Sequence, residues 1–217
     1  MKTYKALAFD VDGTLYPNSW MYVQSIPFGF KNYKLLKAFR KVRKVLRKTR
    51  PIEDFYALQI QLVAEELGWP REKAQKSIEQ AMYTQWEQVL YRVKLFPGVR
   101  ELIAEAKANG LKLAVASDFP VANKLNILQL NGLWDFELAT ETTNYLKPNP
   151  EPFHVLAKGL GLEPQEILYV GNSHSYDIVG AKQVGMGAAH ITNRPKPDSL
   201  ADFSFSHYNQ LSQYLFR

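Results

Sequence analysis

A chain of 217 residues, 46% apolar and 22% charged, is long enough for one packed domain with a sizeable insertion. No run approaches the ~20 apolar residues of a membrane span, and the absence of cysteine excludes disulfide frames and thiolate metal sites. The net charge of +6 is local: residues 31–50 hold ten Lys and Arg and no acid, leaving 17 bases against 21 acids elsewhere.

The N-terminal apolar run is short and two acids follow it at once, so it does not read as a signal peptide, and a cytoplasmic location is expected. Tyr4 to Phe9 reads as a short buried strand, broken by Gly13. Asp10 and Asp12 sit where it ends, and alternation points both to one side with Val11 facing away. In a parallel sheet, ligands bind just beyond the carboxyl ends of strands. Two acids there repel each other unless a cation or a shared proton intervenes, and a divalent metal is the stronger reason to keep both. An Asx-type turn before Gly13 explains one acid but not two.

Residues 17–95 contain no convincing strand. Leu35, Leu36, Phe39, Val42, Val45 and Leu46 mark one helical face, and Lys34, Lys37, Lys41, Lys44 and Lys48 another. A second helix is expected over Ile52–Leu67, ended by Gly68, and a third from about Pro70 to Tyr91. Trp20, Tyr22, Phe28, Phe30 and Tyr33 precede them as packing or stacking residues. Three amphipathic helices inserted after the first strand would form a lid over the sheet's carboxyl edge.

From Pro97 onward helix and strand alternate. Helices are expected over Val99–Ala108, Val121–Leu130, Pro150–Leu160, Asp177–Val184 and Tyr208–Phe216. Strands are expected over Leu111–Ala116, Phe136–Ala139, Ile167–Val170, Gly187–Ile191 and Asp202–Phe205. The pattern predicts an α/β fold: a Rossmann-like parallel sheet with helices on both faces, formed by residues 1–16 and 96–217, with an α-helical cap over 17–95.

Three further signals fall at strand ends on the same edge: Ser117 after KLAVA, Lys147 in YLKPNPEPF, and the loop GNSHSYD from Gly171 to Asp177. Each is weak alone. A serine there is usually a turn residue, and a lysine before proline is usually solvated. Their order after the acid pair makes them specific.

With FDVDGTLYP, LFPGVRELIAEAKANG, AVASD, LKPNPEPF and the Gly171–Asp177 loop, the chain resembles the haloacid dehalogenase superfamily, in its phosphatase branch with a helical cap. The resemblance implies a phosphomonoester hydrolase acting on a small phosphorylated metabolite. Asp10 would be the nucleophile that forms an aspartyl-phosphate, and Asp12 the general acid and base. Ser117 and Lys147 would bind the phosphoryl group. Mg²⁺ would be held by the Asp10 carboxylate, the Asp12 carbonyl, Asn172 and Asp177. An acid at position 12 favours phosphate monoester chemistry, phosphomutases included.

Two positions depart from that pattern. Asn172 stands where the family usually has Asp, so metal affinity is reduced with activity kept, or Asp177 takes over, or the site only binds phosphate. Asp118 stands where the family often has Asn, and either pairs with Lys124 or faces away. The basic segment 31–50 has its own alternatives: a cap helix with solvated charges, a cationic wall that attracts substrate, or a surface for nucleic acid or an anionic membrane. A weakly catalytic anion-binding module is thus the competing reading.

Overall fold

A computed structural model describes residues 4–217. Six short apolar runs pair as parallel strands: β1 (Ala6–Phe9), β2 (Lys112–Ser117), β3 (Phe136–Ala139), β4 (Ile167–Gly171), β5 (Gly187–Ile191) and β6 (Phe203–Phe205), in the order 3-2-1-4-5-6. Central β1 sets Ala6 against Lys112 and Ile167, and Phe9 against Val115 and Val170. All four of its residues are fully buried, which is why its sequence is apolar throughout and does not alternate. The strand order reverses between β1 and β4, so the chain leaving β1 enters the crevice where such sheets bind ligands.

Each face of the sheet is covered. Helices over Val99–Ala108, Ala122–Ile127 and Tyr208–Phe216 pack on Leu7, Phe9, Leu113, Val115, Leu168 and Val170. On the other face Ala6, Ala8, Ala114, Ala116 and Ala188 leave room for the helices Pro150–Leu160 and Val179–Gln183 to approach closely. There Phe153 meets Tyr169 edge-on with ring centroids 5.1 Å apart. Among the described residues no helix is long and apolar enough to cross a membrane.

Between β1 and this alternating part lie α1 (Asn18–Gln24), α2 (Ile26–Lys31), α3 (Tyr33–Leu46), α4 (Phe55–Leu67) and α5 (Arg71–Ile78). They share a cluster that includes Leu35, Phe39, Val42, Leu46, Phe55, Val63 and Ile78, and Leu146 from the sheet unit packs into it. Asp54 starts α4 by accepting the Ala57 N–H at 2.9 Å, and Gly68 ends it in the left-handed region.

Several expected boundaries shift. Helices α1 and α2 are only seven and six residues long, too short for an apolar period to announce them. The single helix expected to Tyr91 loosens after α5 into a π-helical turn, Glu79–Gln85, and then tightens into 3₁₀ geometry over Trp86–Arg92. The helix expected over Val121–Leu130 stops at Ile127, because Gln129 takes a positive φ of 55°.

Candidate active site

Asp10 and Asp12, one residue apart, are held by different partners. Asp10 is buried: Thr14 Oγ1 donates to its Oδ2 at 2.7 Å and Lys147 Nζ to its Oδ1 at 2.7 Å. The same ammonium donates to Asp177 Oδ1 at 2.7 Å and reaches Tyr169 Oη at 3.1 Å. Lys147 is therefore a buried cation shared by two buried acids. Burial alone favours the neutral amine, but Asp10 and Asp177 hold it charged, well above lysine's ordinary range. Burial pushes the Asp10 carboxyl up to about 7; Lys147 opposes this, while Asp177 and Asp12 add to it. One lysine does not balance the negative charge gathered here.

Asp12 is turned toward Lys124, whose Nζ lies 2.6 Å from Oδ2. Ser117 Oγ donates to the same oxygen at 2.9 Å, and Tyr16 Oη makes a short bond to Oδ1. Burial raises its carboxyl, but Lys124 and the three donated bonds outweigh that and hold it below the usual range. Lys124 thus pairs with Asp12 and not with Asp118. Ser117, expected to face a phosphate, is fully buried with its hydroxyl committed to Asp12.

Asp118 is tied elsewhere. It accepts from Thr140 Oγ1 at 2.7 Å and from the Lys147 N–H at 3.2 Å, and forms a short ion pair with Arg47. Arg47 also donates to the Lys147 carbonyl at 2.9 Å and lies over the Tyr176 ring at 4.3 Å. One turn earlier Arg43 pairs with buried Glu141 at 3.0 Å, donates to Gln59 Oε1 at 3.2 Å and covers the Phe119 ring at 4.2 Å. Two guanidinium groups, one from the last turn of α3 and one from the residue that caps it, therefore bind the loops that carry Asp118 and Lys147.

Glu141 also accepts from Tyr56 and Tyr83, yet burial keeps its carboxyl above the ordinary glutamate range despite Arg43. Removing one member of a buried pair costs about 3–5 kcal/mol. Arg43→Met is expected to destabilise the protein by about that much at pH 7. Without the guanidinium the folded-state pKa rises further, so the folded protein takes up a proton more readily than the unfolded chain. The deficit against wild type therefore shrinks as pH falls and grows as pH rises. Urea titrations at pH 5, 6 and 7 check this; a pH-independent deficit contradicts it.

Close approach of the loops depends on two glycines. A Cβ on Gly13, at φ +90°, would come within 2.1 Å of Asn172 Nδ2 and 2.2 Å of Asn18 Nδ2. A Cβ on Gly171 would meet the Asp177 Cβ at 2.3 Å. Ser173 accepts the Tyr176 N–H at 3.3 Å and Asp177 Oδ2 accepts the Ser173 N–H at 2.9 Å. The helix expected to begin at Asp177 instead opens with a π-helical turn, His174–Ile178, which turns Asp177 inward. His174 accepts the Leu200 N–H through Nε2 at 3.4 Å, and His154 lies on the helix Pro150–Leu160.

Asp10, Asp12, Lys147, Asn172 and Asp177 line one cleft of about 660 Å³, whose far wall includes Arg43, Arg47 and Asp118. Among the described residues no three His, Cys, Asp or Glu side chains form a ready cation cage. The expected Mg²⁺ donors contain only two carboxylate side chains, joined by a backbone carbonyl and an amide. That hard-oxygen set fits Mg²⁺, which is held by few protein ligands and keeps several waters. A further oxygen is at hand for a hard cation: Asn18 Oδ1, a buried acceptor beside Gly13 that no donor reaches among the described residues.

Lys124, Arg43 and Arg47 were not singled out from sequence as site residues. The arginines left a signal: in a lysine-rich run, Arg40, Arg43, Arg47 and Arg50 recur at spacings of three and four, one stripe of α3 and its extension. The first three line the cleft, and Arg50 pairs with Glu151. The lysines between them are exposed.

A parallel sheet with a buried acid at its switch point, bridged by lysine to a second acid, defines an α/β protein with a charged crevice at its strand ends. The sequence model of the haloacid dehalogenase-like hydrolases matches residues 4–185, and the chain belongs to that family. It is 27% identical to a phosphoglycolate phosphatase of Mannheimia succiniciproducens over 96% of each chain. It is 28% identical to a glyceraldehyde 3-phosphate phosphatase of Methanopyrus kandleri, over 86% of this chain and 83% of that one. Among solved structures, a 2-haloacid dehalogenase from Pseudomonas syringae superposes with a TM-score of 0.69 at 24% identity, over 98% of both chains. A predicted phosphoglycolate phosphatase from Haemophilus somnus gives 0.68 at 23% identity, over 99% of both. These structural likenesses concern the fold.

Proposed function

We propose that the protein is a Mg²⁺-dependent phosphomonoesterase working through an aspartyl-phosphate on Asp10, with residues 1–16 and 96–217 as core and 17–95 as cap. The observation that carries this reading is the buried Asp10–Lys147–Asp177 bridge at a strand end, in a chain related to named phosphatases. An Asp10 oxygen attacks phosphorus while the bond to the substrate's alkoxide breaks, and the departing oxygen draws its proton from the Asp12–Lys124 pair. Water then attacks the phosphoryl group, gives its proton to Asp12 and releases Asp10. Lys147 neutralises the incoming phosphate, and Ser117 joins it once its hydroxyl turns from Asp12. The Asp10 carboxylate, the Asp12 carbonyl, Asn172 and Asp177 would hold Mg²⁺, which supplies positive charge between two anions. Arg43 and Arg47 position the Asp118 and Lys147 loops from the cap, which favours a cap role for the basic helix over a nucleic-acid surface. The small phosphorylated substrate enters between cap and core.

Release of phosphate from para-nitrophenyl phosphate with Mg²⁺ tests the reading, and no release under any metal condition overturns it. For Asn172→Asp we expect Mg²⁺ to bind about tenfold more tightly, because a full charge replaces an amide dipole. Titration calorimetry and the Mg²⁺-dependent rise in Tm both read this without turnover. Identical binding in both proteins would remove Asn172 from the donor set.

A further inference from the structure

The cleft over Asp10 adjoins a second groove of about 630 Å³, and the two share Tyr22, Leu36, Arg40, Lys44 and Trp86 as wall residues. Beyond that junction the groove is lined by Ile26, Phe30 and Tyr33. Phe30 is 83% exposed and Tyr33 64% exposed, so these rings contribute little to the protein's own core. The pairing of charges is as informative. Arg43 and Arg47 are neutralised by Glu141 and Asp118, and Lys147 by Asp10 and Asp177. Among the described residues Arg40 and Lys44 form no ion pair, yet they stand four apart on α3, on one face, where the two cavities meet. On the phosphatase reading Lys147 together with Mg²⁺ meets the transferring phosphoryl group at Asp10, so the unpaired charge of Arg40 and Lys44 is left for another anion.

Building on the phosphatase reading, we propose that the second groove receives the substrate's leaving group: an alcohol with a flat apolar body that carries an acid of its own. The body lies against Tyr22, Trp86, Phe30 and Tyr33, and its carboxylate or second phosphate meets Arg40 and Lys44. A two- or three-carbon alcohol leaves this space unfilled, whereas a ring-sized group takes up the apolar walls.

Three substrates with the same kind of alkyl leaving oxygen test this: ethyl phosphate, 2-(2-naphthyl)ethyl phosphate and its 6-carboxy derivative. We expect kcat/KM to rise about tenfold with the naphthyl group, since burying a few methylene equivalents accounts for that much. The carboxylate adds a further factor of about three, the scale of a solvent-exposed ion pair. Phe30→Ser with Tyr33→Ser removes the naphthyl gain and leaves ethyl phosphate turnover unchanged. Arg40→Ser with Lys44→Ser removes the carboxylate gain. Equal kcat/KM for all three substrates, or gains untouched by the variants, overturns the proposal while the phosphatase reading stands. If none of the three, nor para-nitrophenyl phosphate, is hydrolysed, that reading falls first. Phe30- and Tyr33-dependent sedimentation with anionic vesicles, without any naphthyl gain, assigns the groove to a membrane surface and also overturns the proposal.

Discussion

Asp10→Asn is expected to abolish turnover, lowering kcat by at least about a thousandfold, while the protein stays folded. On the proposed mechanism the scale follows from losing the atom that forms the covalent intermediate; removing a nucleophile costs far more than removing one binding contact. The fold survives because the change is nearly isosteric. The amide oxygen still accepts from Thr14, whose carbonyl is in turn held by Tyr208 Oη at 2.6 Å. Lys147 loses one acid but keeps Asp177 and Tyr169. The substitution also removes a charge that burial already disfavours, with the native carboxyl pushed up to about 7. Stability is therefore expected to change by less than about 1 kcal/mol in a urea titration. Borohydride trapping in the wild type should convert residue 10 to homoserine, visible by mass spectrometry, and the variant should give none. If excess Mg²⁺ restored the variant's turnover, Asp10 would be a metal ligand only and the covalent route would be wrong.

Much of this site was legible in the sequence because it is built from short segments with strong local signals. FDVDGTLYP joins a fully apolar strand to two acids and a glycine, and Gly13 is indeed where the backbone must admit Asn172 and Asn18. Strands β3 and β5 and the helices Val99–Ala108, Pro150–Leu160 and Tyr208–Phe216 carry the expected boundaries, since their apolar periods and stop residues agree. What stayed hidden is long-range pairing. Arg43 and Glu141 are separated by 98 residues, and Lys124 and Asp12 by 112. A lysine-rich amphipathic helix predicts a solvated charged face, and nothing local says which charges turn inward. Side-chain chemistry decides it for two of them: planar guanidinium groups serve several acceptors at once, so Arg43 and Arg47 turn toward the loops, while Arg40, Arg50 and the lysines between them stay exposed. The assignment of Ser117 to phosphate failed to foresee Asp12 as its partner for the same reason, since both lie at strand ends that meet only after folding.

Lys147→Met should be the most damaging single change to the fold at this site. It removes the one cation that Asp10 and Asp177 share and leaves two buried carboxylates facing a thioether. Both acids have little access to water, their side chains being 8% and 2% exposed, so solvent cannot screen them. Breaking a buried pair this way costs about 3–5 kcal/mol. For a domain of this size that corresponds to a fall in Tm of roughly 6–20 °C. Phosphate release should drop at least about a hundredfold, because on the proposed mechanism the charge that steadies the transferring group is gone. Metal dependence distinguishes this account from simple loss of packing. Two uncompensated carboxylates bind a dication more strongly than two already paired with lysine, so Mg²⁺ should raise the variant's Tm by more than it raises the wild type's. A cavity or a misfit side chain has no reason to respond to Mg²⁺. Equal Mg²⁺ shifts in the two proteins would mean that Asp10 and Asp177 do not act on a common cation, and the proposed metal site would have to be withdrawn along with the electrostatic role of Lys147.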